Sequence, residues 1–236
     1  VIIAAREMAG LVRLNAASGL RDRAALIIDQ NDAASARVLV GELNTLLASV
    51  PQTARGRAHL KDTHGEIVDG KDLFKLAETG LLAPLDAMAR TMILDSAKRV
   101  SVVTAVSPRA LIDVGYVIYE SARLIRRLAA LYGGRPGTLG MWKLGRRVIA
   151  HLAVTGSIAV GDSLVQQLVG HGLAAKLSAR LGEGVINGLM TARVGIAAMD
   201  LVRPLPFNAV KRPGIGDFLT EIARLPNGKS VTEKSS

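Results

Sequence analysis

Residues 121–161 read SARLIRRLAALYGGRPGTLGMWKLGRRVIAHLAVTGSIAVG, and this stretch decides the fold. One helix runs up to Leu131. Gly133-Gly134-Arg135-Pro136-Gly137 then turns the chain, and a second helix answers from Thr138. The forty-one residues hold no Asp or Glu but seven basic residues: Arg123, Arg126, Arg127, Arg135, Lys143, Arg146 and Arg147. Beyond Arg147 comes an apolar run in which Asp162 is the only formal charge from Val148 to Ala175. A basic helical hairpin is thus fused to an apolar helix, a combination suited to a membrane surface or an acidic partner.

The rest of the composition agrees. Hydrophobic residues make up 49% of the 236 and aromatics only 3%, so the core is built from Ala, Leu, Val and Ile. Ala and Leu are strong helix formers, and the expected fold is an all-α, multi-helix bundle with long antiparallel helices. The net charge is +10, of which the acid-free hairpin supplies +7, so the basicity is clustered. The chain has no Cys, which removes disulfides and thiolate metal sites. It opens Val1-Ile2-Ile3-Ala4-Ala5 with Arg6 and Arg13 behind, which reads as the end of a transmembrane helix with basic residues on its cytoplasmic side.

Outward from the hairpin, residues 1–29 read as one helix, and a second ends near Ser49 before Pro51. Residues 51–70 are polar and read as irregular. A short helix over 71–78 closes at Gly80, and another from Pro84 ends near Arg99. Val100–Val106 is rich in β-branched residues, but no second strand offers itself as a partner, so helix or extended linker is expected. Ser107-Pro108 starts a helix to Leu131 that is apolar on most faces and therefore central. The helix from Thr138 extends to about Val169, with Gly156 and Gly161 as break points. A last long helix covers 173–203 until Pro204 and Pro206 stop it. Residues 208–236 are polar, with one short helix at 216–224 and a disordered tail.

Several groups could carry function. His151, Thr155, Asp162 and Gln166 fall on one face of a continuous helix, as a ligand pocket or as a satisfied core network with Arg109 or Arg193. Gly184, Gly188, Thr191, Gly195 and Ala198 form a small-residue stripe suited to close helix packing, within the chain or between copies in a homo-oligomer. Gly65–Asp72 nearly matches a phosphate-binding loop, but Asp72 replaces the magnesium-holding hydroxyl and Glu66 and Asp69 repel phosphate. His151 and His171 lack zinc spacing, so no metal or other cofactor is expected. Neither a Gly-x-Ser-x-Gly elbow nor a His-Glu-x-x-His pair is present.

The basic hairpin is the foremost interaction candidate; its plain alternative is a solvated tip. Only Tyr132 and Trp142 lie near enough to stack bases, so nucleic acid is not an expected partner. Anionic lipid or an acidic protein surface fits better. The apolar run does not make a convincing membrane span. Val148–Gly161 covers only about 21 Å of helix, and lengthening it takes in Asp162, Gln166 and Gln167.

Thr104-Ala-Val-Ser-Pro-Arg109, Leu124-Ile-Arg-Arg-Leu-Ala-Ala-Leu-Tyr-Gly-Gly-Arg-Pro-Gly137, His151-Leu-Ala-Val-Thr-Gly156, His171-Gly-Leu-Ala-Ala-Lys-Leu-Ser-Ala-Arg-Leu-Gly-Glu-Gly184 and Arg203-Pro-Leu-Pro-Phe207 resemble the YcjF-like bacterial inner-membrane proteins. Leu82-Ala-Pro-Leu-Asp86 agrees in style. The resemblance implies a transmembrane hairpin ahead of this region, a cytoplasmic placement at the inner membrane, and a P-loop GTPase-like partner. It implies no catalytic residues. The expected organisation is an N-terminal helical region at 1–103 (a juxtamembrane helix plus a small bundle), a C-terminal helical domain at 104–207 and a polar extension at 208–236. The expected role is a non-enzymatic adaptor or regulator of a GTPase-like protein. The alternative is a lipid- or apolar-ligand-binding domain that uses the core around 148–200.

Overall fold

The computed structural model describes residues 17, 19–63, 69–107, 110–134, 137–156 and 173–223, and every regular element among them is helical. Residues 1–16, where a juxtamembrane helix was expected to open, Arg109, Arg135, Asp162, Gln166, His171 and residues 224–236 lie outside the described residues.

Helix α1 covers 19–30 and ends at Asn31, whose φ of 52° reverses the chain in a conformation Asn tolerates. Asp32 then caps α2 (Ala33–Leu46), its carboxylate accepting the Ala34 N–H at 3.0 Å. The next segment corrects the expectation of irregular chain over 51–70. Pro51 opens a tight turn (Pro51–Thr53) that runs straight into α3 (Ala54–Thr63). Its one buried apolar side chain, Leu60, joins the core, and two further contacts hold this polar helix. Buried Thr53 donates its hydroxyl to Val50 O at 2.8 Å, and Gly56 presses against the Gly80 carbonyl where no Cβ would fit.

Helix α4 (Gly70–Ala77) is capped by Asp69, which accepts the Lys71 N–H at 2.8 Å. Gly80 does not close it. A widened π turn (Glu78–Leu82) carries the chain on into α5 (Ala83–Val106), with Pro84 in the first turn, where a missing N–H costs nothing. Helix α5 passes Arg99 and absorbs the β-branched run to Val106. With no strand among the described residues to pair with, those backbone groups are satisfied inside the helix, and packing overrides propensity. The helix stops where Ser107 turns extended (ψ 131°), as a residue before proline prefers.

Helix α6 (Ala110–Leu131) ends in a Schellman motif. Gly133 takes φ 84°, and the Gly134 N–H reaches Ala129 O at 2.8 Å. Helices α7 (Thr138–Gly156), α8 (Leu173–Val202) and α9 (Gly216–Ala223) follow. Helix α8 runs unbroken through Gly182 and Gly184, as expected of one long helix over this region.

The centre belongs to α5 and α8, which pack antiparallel. A Cβ on Gly184 would stand 2.5 Å from Ser101 O, one on Gly188 2.9 Å from Ala97 O, and one on Gly195 2.7 Å from Ile93 Cγ1. The small-residue stripe is therefore an intramolecular contact, and removing side chains there lets two backbones meet. The expectation of a central α6 is corrected. It packs on α5 and α8 through Leu124, Ile125 and Leu128, but leaves Val114, Ile118 and Tyr119 exposed. One core runs from Leu39 and Leu43 of α2 through Phe74, Leu85 and Ile93 to Leu124, Met199 and α9's Phe218 and Ile222. Position 103/104 falls inside α5.

Candidate functional site

The basic hairpin faces water. Arg123, Arg126, Lys143, Arg146 and Arg147 are exposed and Arg127 is half-buried. Arg123 reaches Glu120 Oε2 at 3.5 Å. Among the described residues no carboxylate lies within ion-pair distance of Arg126, Arg127, Lys143, Arg146 or Arg147. Glu120 itself is committed inward. It is buried and accepts Arg99 Nε at 3.0 Å and Ser96 Oγ at 3.0 Å. Burial pushes its carboxyl upward, but the bonds from Arg99 and Ser96 and the nearby positive charges outweigh this, and it sits below the usual carboxylate range.

The expected polar network is only partly described. His151 sits half-buried on α7, with Nε2 3.6 Å from Asp200 Oδ2 on α8. Thr155 shares that face but spends its hydroxyl on the His151 carbonyl at 2.7 Å. His151 and Thr155 border a depression of about 160 Å³ together with Arg193, Arg212 and Ile215. Asp200, which the polar-stripe reading omitted, is the anchor here. It is buried and takes Arg212 Nε at 2.9 and 3.0 Å, and that bond raises the Arg212 pKa. Arg21 of α1 feels the same group. Burial lowers its pKa, against the attraction of Asp200.

A cluster of buried charge was missed by sequence reasoning. Arg203, directly after α8, is fully buried. It donates to Asp86 at 2.9–3.2 Å, to Glu78 at 3.0 Å, and to the carbonyls of Leu205 and Pro206 at 2.7 and 2.8 Å. Its guanidinium lies 4.0 Å from the Phe207 ring centroid. Glu78, brought inside by the π turn, also accepts the N–H groups of Asn208, Ala209 and Val210 at 2.7–3.3 Å. Tyr132 closes the set by donating to Asp86 at 2.6 Å, and burial, then the Asp86 charge, drive its phenol pKa far up. Each buried group spends its hydrogen bonds on the others or on backbone, as burial demands. The one available signal was an Arg ending an apolar helix just before Pro-Leu-Pro.

Among the described residues no group of three or more His, Asp or Glu side chains could hold a metal. Among the described residues one segment, Leu181–Val202, is long and apolar enough to cross a membrane, and it is more than half buried between its neighbours, as the core helix of a bundle is.

A family model described as a domain of unknown function, DUF697, matches residues 68–227. A UPF0283 membrane protein of Brucella ovis is 63% identical over 226 residues, covering 96% of this chain and 63% of the relative. Those of Brucella canis and Brucella suis biovar 1 are 62% identical over the same spans. The chain thus spans 63% of the length of these curated relatives. No solved structure matches it.

Proposed function

Because the chain belongs to the DUF697 family and is similar to UPF0283 membrane proteins over 63% of their length, we propose that it is the cytoplasmic part of a bacterial inner-membrane protein, acting as a non-enzymatic adaptor for a P-loop GTPase-like partner. The observation that carries this reading is the division of charge. The buried ions around Arg203 are consumed by one another and by backbone, whereas five exposed or half-exposed cations on α6 and α7 have no carboxylate partner among the described residues. Charges of the first kind hold a fold. Charges of the second kind are available to an anionic surface, which an anchored domain meets in the bilayer or in an acidic partner. The GTPase-like partner comes from the YcjF-like resemblance. The membrane setting is in keeping with the printed names of the relatives.

The test is cross-linking in native membranes that carry the full-length protein, followed by pulldown. Recovery of a GTP-binding protein is the expected result, weakened when Arg123, Arg126, Arg127, Arg146 and Arg147 are all changed to Gln. Recovery of no nucleotide-binding protein overturns the adaptor reading. An unweakened partner in the quintuple variant leaves the hairpin as a solvated tip.

A further inference from the structure

Helix α7 has two faces, and only one is used by the fold. Gly140, Leu144 and Val148 are buried against the bundle. At about 100° per residue the opposite line runs through Leu139, Trp142, Arg146, Ile149 and Ala153. Three of these are large apolar side chains with most of their surface in water: Leu139 at 64%, Trp142 at 77% and Ile149 at 69%. Lys143 borders the line on one side, exposed Arg147 lies beyond it toward the buried face, and α7 contains no acid. From Leu139 to Ala153 the stripe is about 21 Å long.

We propose that α7 lies in the plane of a membrane interface. Leu139, Trp142 and Ile149 enter the boundary of the acyl chains, and Lys143, Arg146 and Arg147 engage anionic headgroups. This rests on the membrane-surface reading above and adds the element that makes contact and its depth. The composition of the stripe selects the occupant. An apolar protein surface would bury three cations without partners. A polar acidic surface would leave Leu139, Trp142 and Ile149 against charge. A bilayer boundary offers hydrocarbon and anionic groups within a few ångströms of each other. The long stems of Arg146 and Lys143 let their heads rise to the phosphates while the neighbouring side chains go deeper. Tryptophan is also the residue whose ring favours that depth.

Trp142 is the only tryptophan in the chain, so its fluorescence reports on α7 alone. The purified chain is mixed with phosphatidylglycerol-containing vesicles and with phosphatidylcholine vesicles, and binding is read separately by flotation. On the anionic vesicles the emission is expected to move to shorter wavelength and to be quenched by brominated acyl chains. High salt should reduce both effects. Changing Lys143, Arg146 and Arg147 to Gln should weaken vesicle affinity by about fivefold per charge, roughly a hundredfold together. Leu139→Glu with Ile149→Glu should abolish the quenching while circular dichroism keeps its helical signal, since neither side chain supports the core. Flotation without any change in Trp142 emission overturns the α7 assignment and leaves membrane docking intact. Absence of flotation overturns both. A blue shift that grows with protein concentration, or is already complete without lipid, means a second copy or the chain's own remainder covers the stripe, and the proposal falls.

Discussion

Two sets of arginines in this molecule meet opposite fates. Arg203 is entirely inside, held by Glu78, Asp86, two carbonyls and the Phe207 ring. Arg126, Arg146 and Arg147 stand in water, and no carboxylate among the described residues pairs with them. The first joins the end of α8 and the segment 205–210 to the start of α5. The second set does nothing for the bundle. The difference separates charge that the fold cannot lose from charge that it does not need, and only the latter is free for a partner.

The hardest test of that contrast is to remove Arg203. Arg203→Met leaves Glu78 and Asp86 buried and uncompensated, and is expected to cost about 3–5 kcal/mol in urea or thermal unfolding. A loss below about 1 kcal/mol, the level of an exposed pair, would break the comparison.

Next in size is the close approach of α8 to α5. Gly188→Ala places a Cβ 2.9 Å from Ala97 O and against Ser101, and should destabilise by about 1–3 kcal/mol. Gly145→Ala on α7 meets nothing within 4 Å and should stabilise by about 0.5–1 kcal/mol. The same chemical change should therefore have opposite signs on the two helices, and equal signs in thermal unfolding would refute the packing assignment.

A third prediction concerns Glu120, the acid nearest the basic hairpin. Its folded pKa is lowered, so the stability it contributes is present above the unfolded value of about 4.3 and is lost as pH falls through the folded value. Stability measured against pH should fall through that acidic window in the wild type. In Glu120→Gln the fall should be shallower, and an unchanged slope would show that another carboxylate governs it.

The smallest expected effect on the fold comes from the exposed cations. Arg126→Gln and Arg147→Gln should each change stability by no more than about 0.5 kcal/mol. A larger loss would move them from the available set to the structural one.

Much of the helical order was legible because it is local. The turn at Gly133-Gly134, the stop at Pro204 and the short helix near Phe218 each follow from residues a few positions apart. The misreadings came where neighbours overrule local preference. Polar 54–63 is helical because Leu60 is buried in the core and Gly56 seats against Gly80, and the helix from Pro84, expected to end near Arg99, continues to Val106 against Gly184 and Gly188. Helix α6 looked central from its apolarity, yet it leaves Val114, Ile118 and Tyr119 exposed. Of the candidate site residues, the basic hairpin was visible as a run of charge without acids, while the partners of His151 were not.

The sequence by itself determined an all-helical chain and the clustering of its positive charge. Both are properties of composition and of a 3.6-residue period. Only the tertiary structure decided which charges are spent. Arg203 meets Asp86 and Glu78 across 117 and 125 residues of chain, and no local period encodes a pairing at that distance. It arises because a π turn and the end of a long helix converge in one buried place, where a charge must find its counterpart or stay outside.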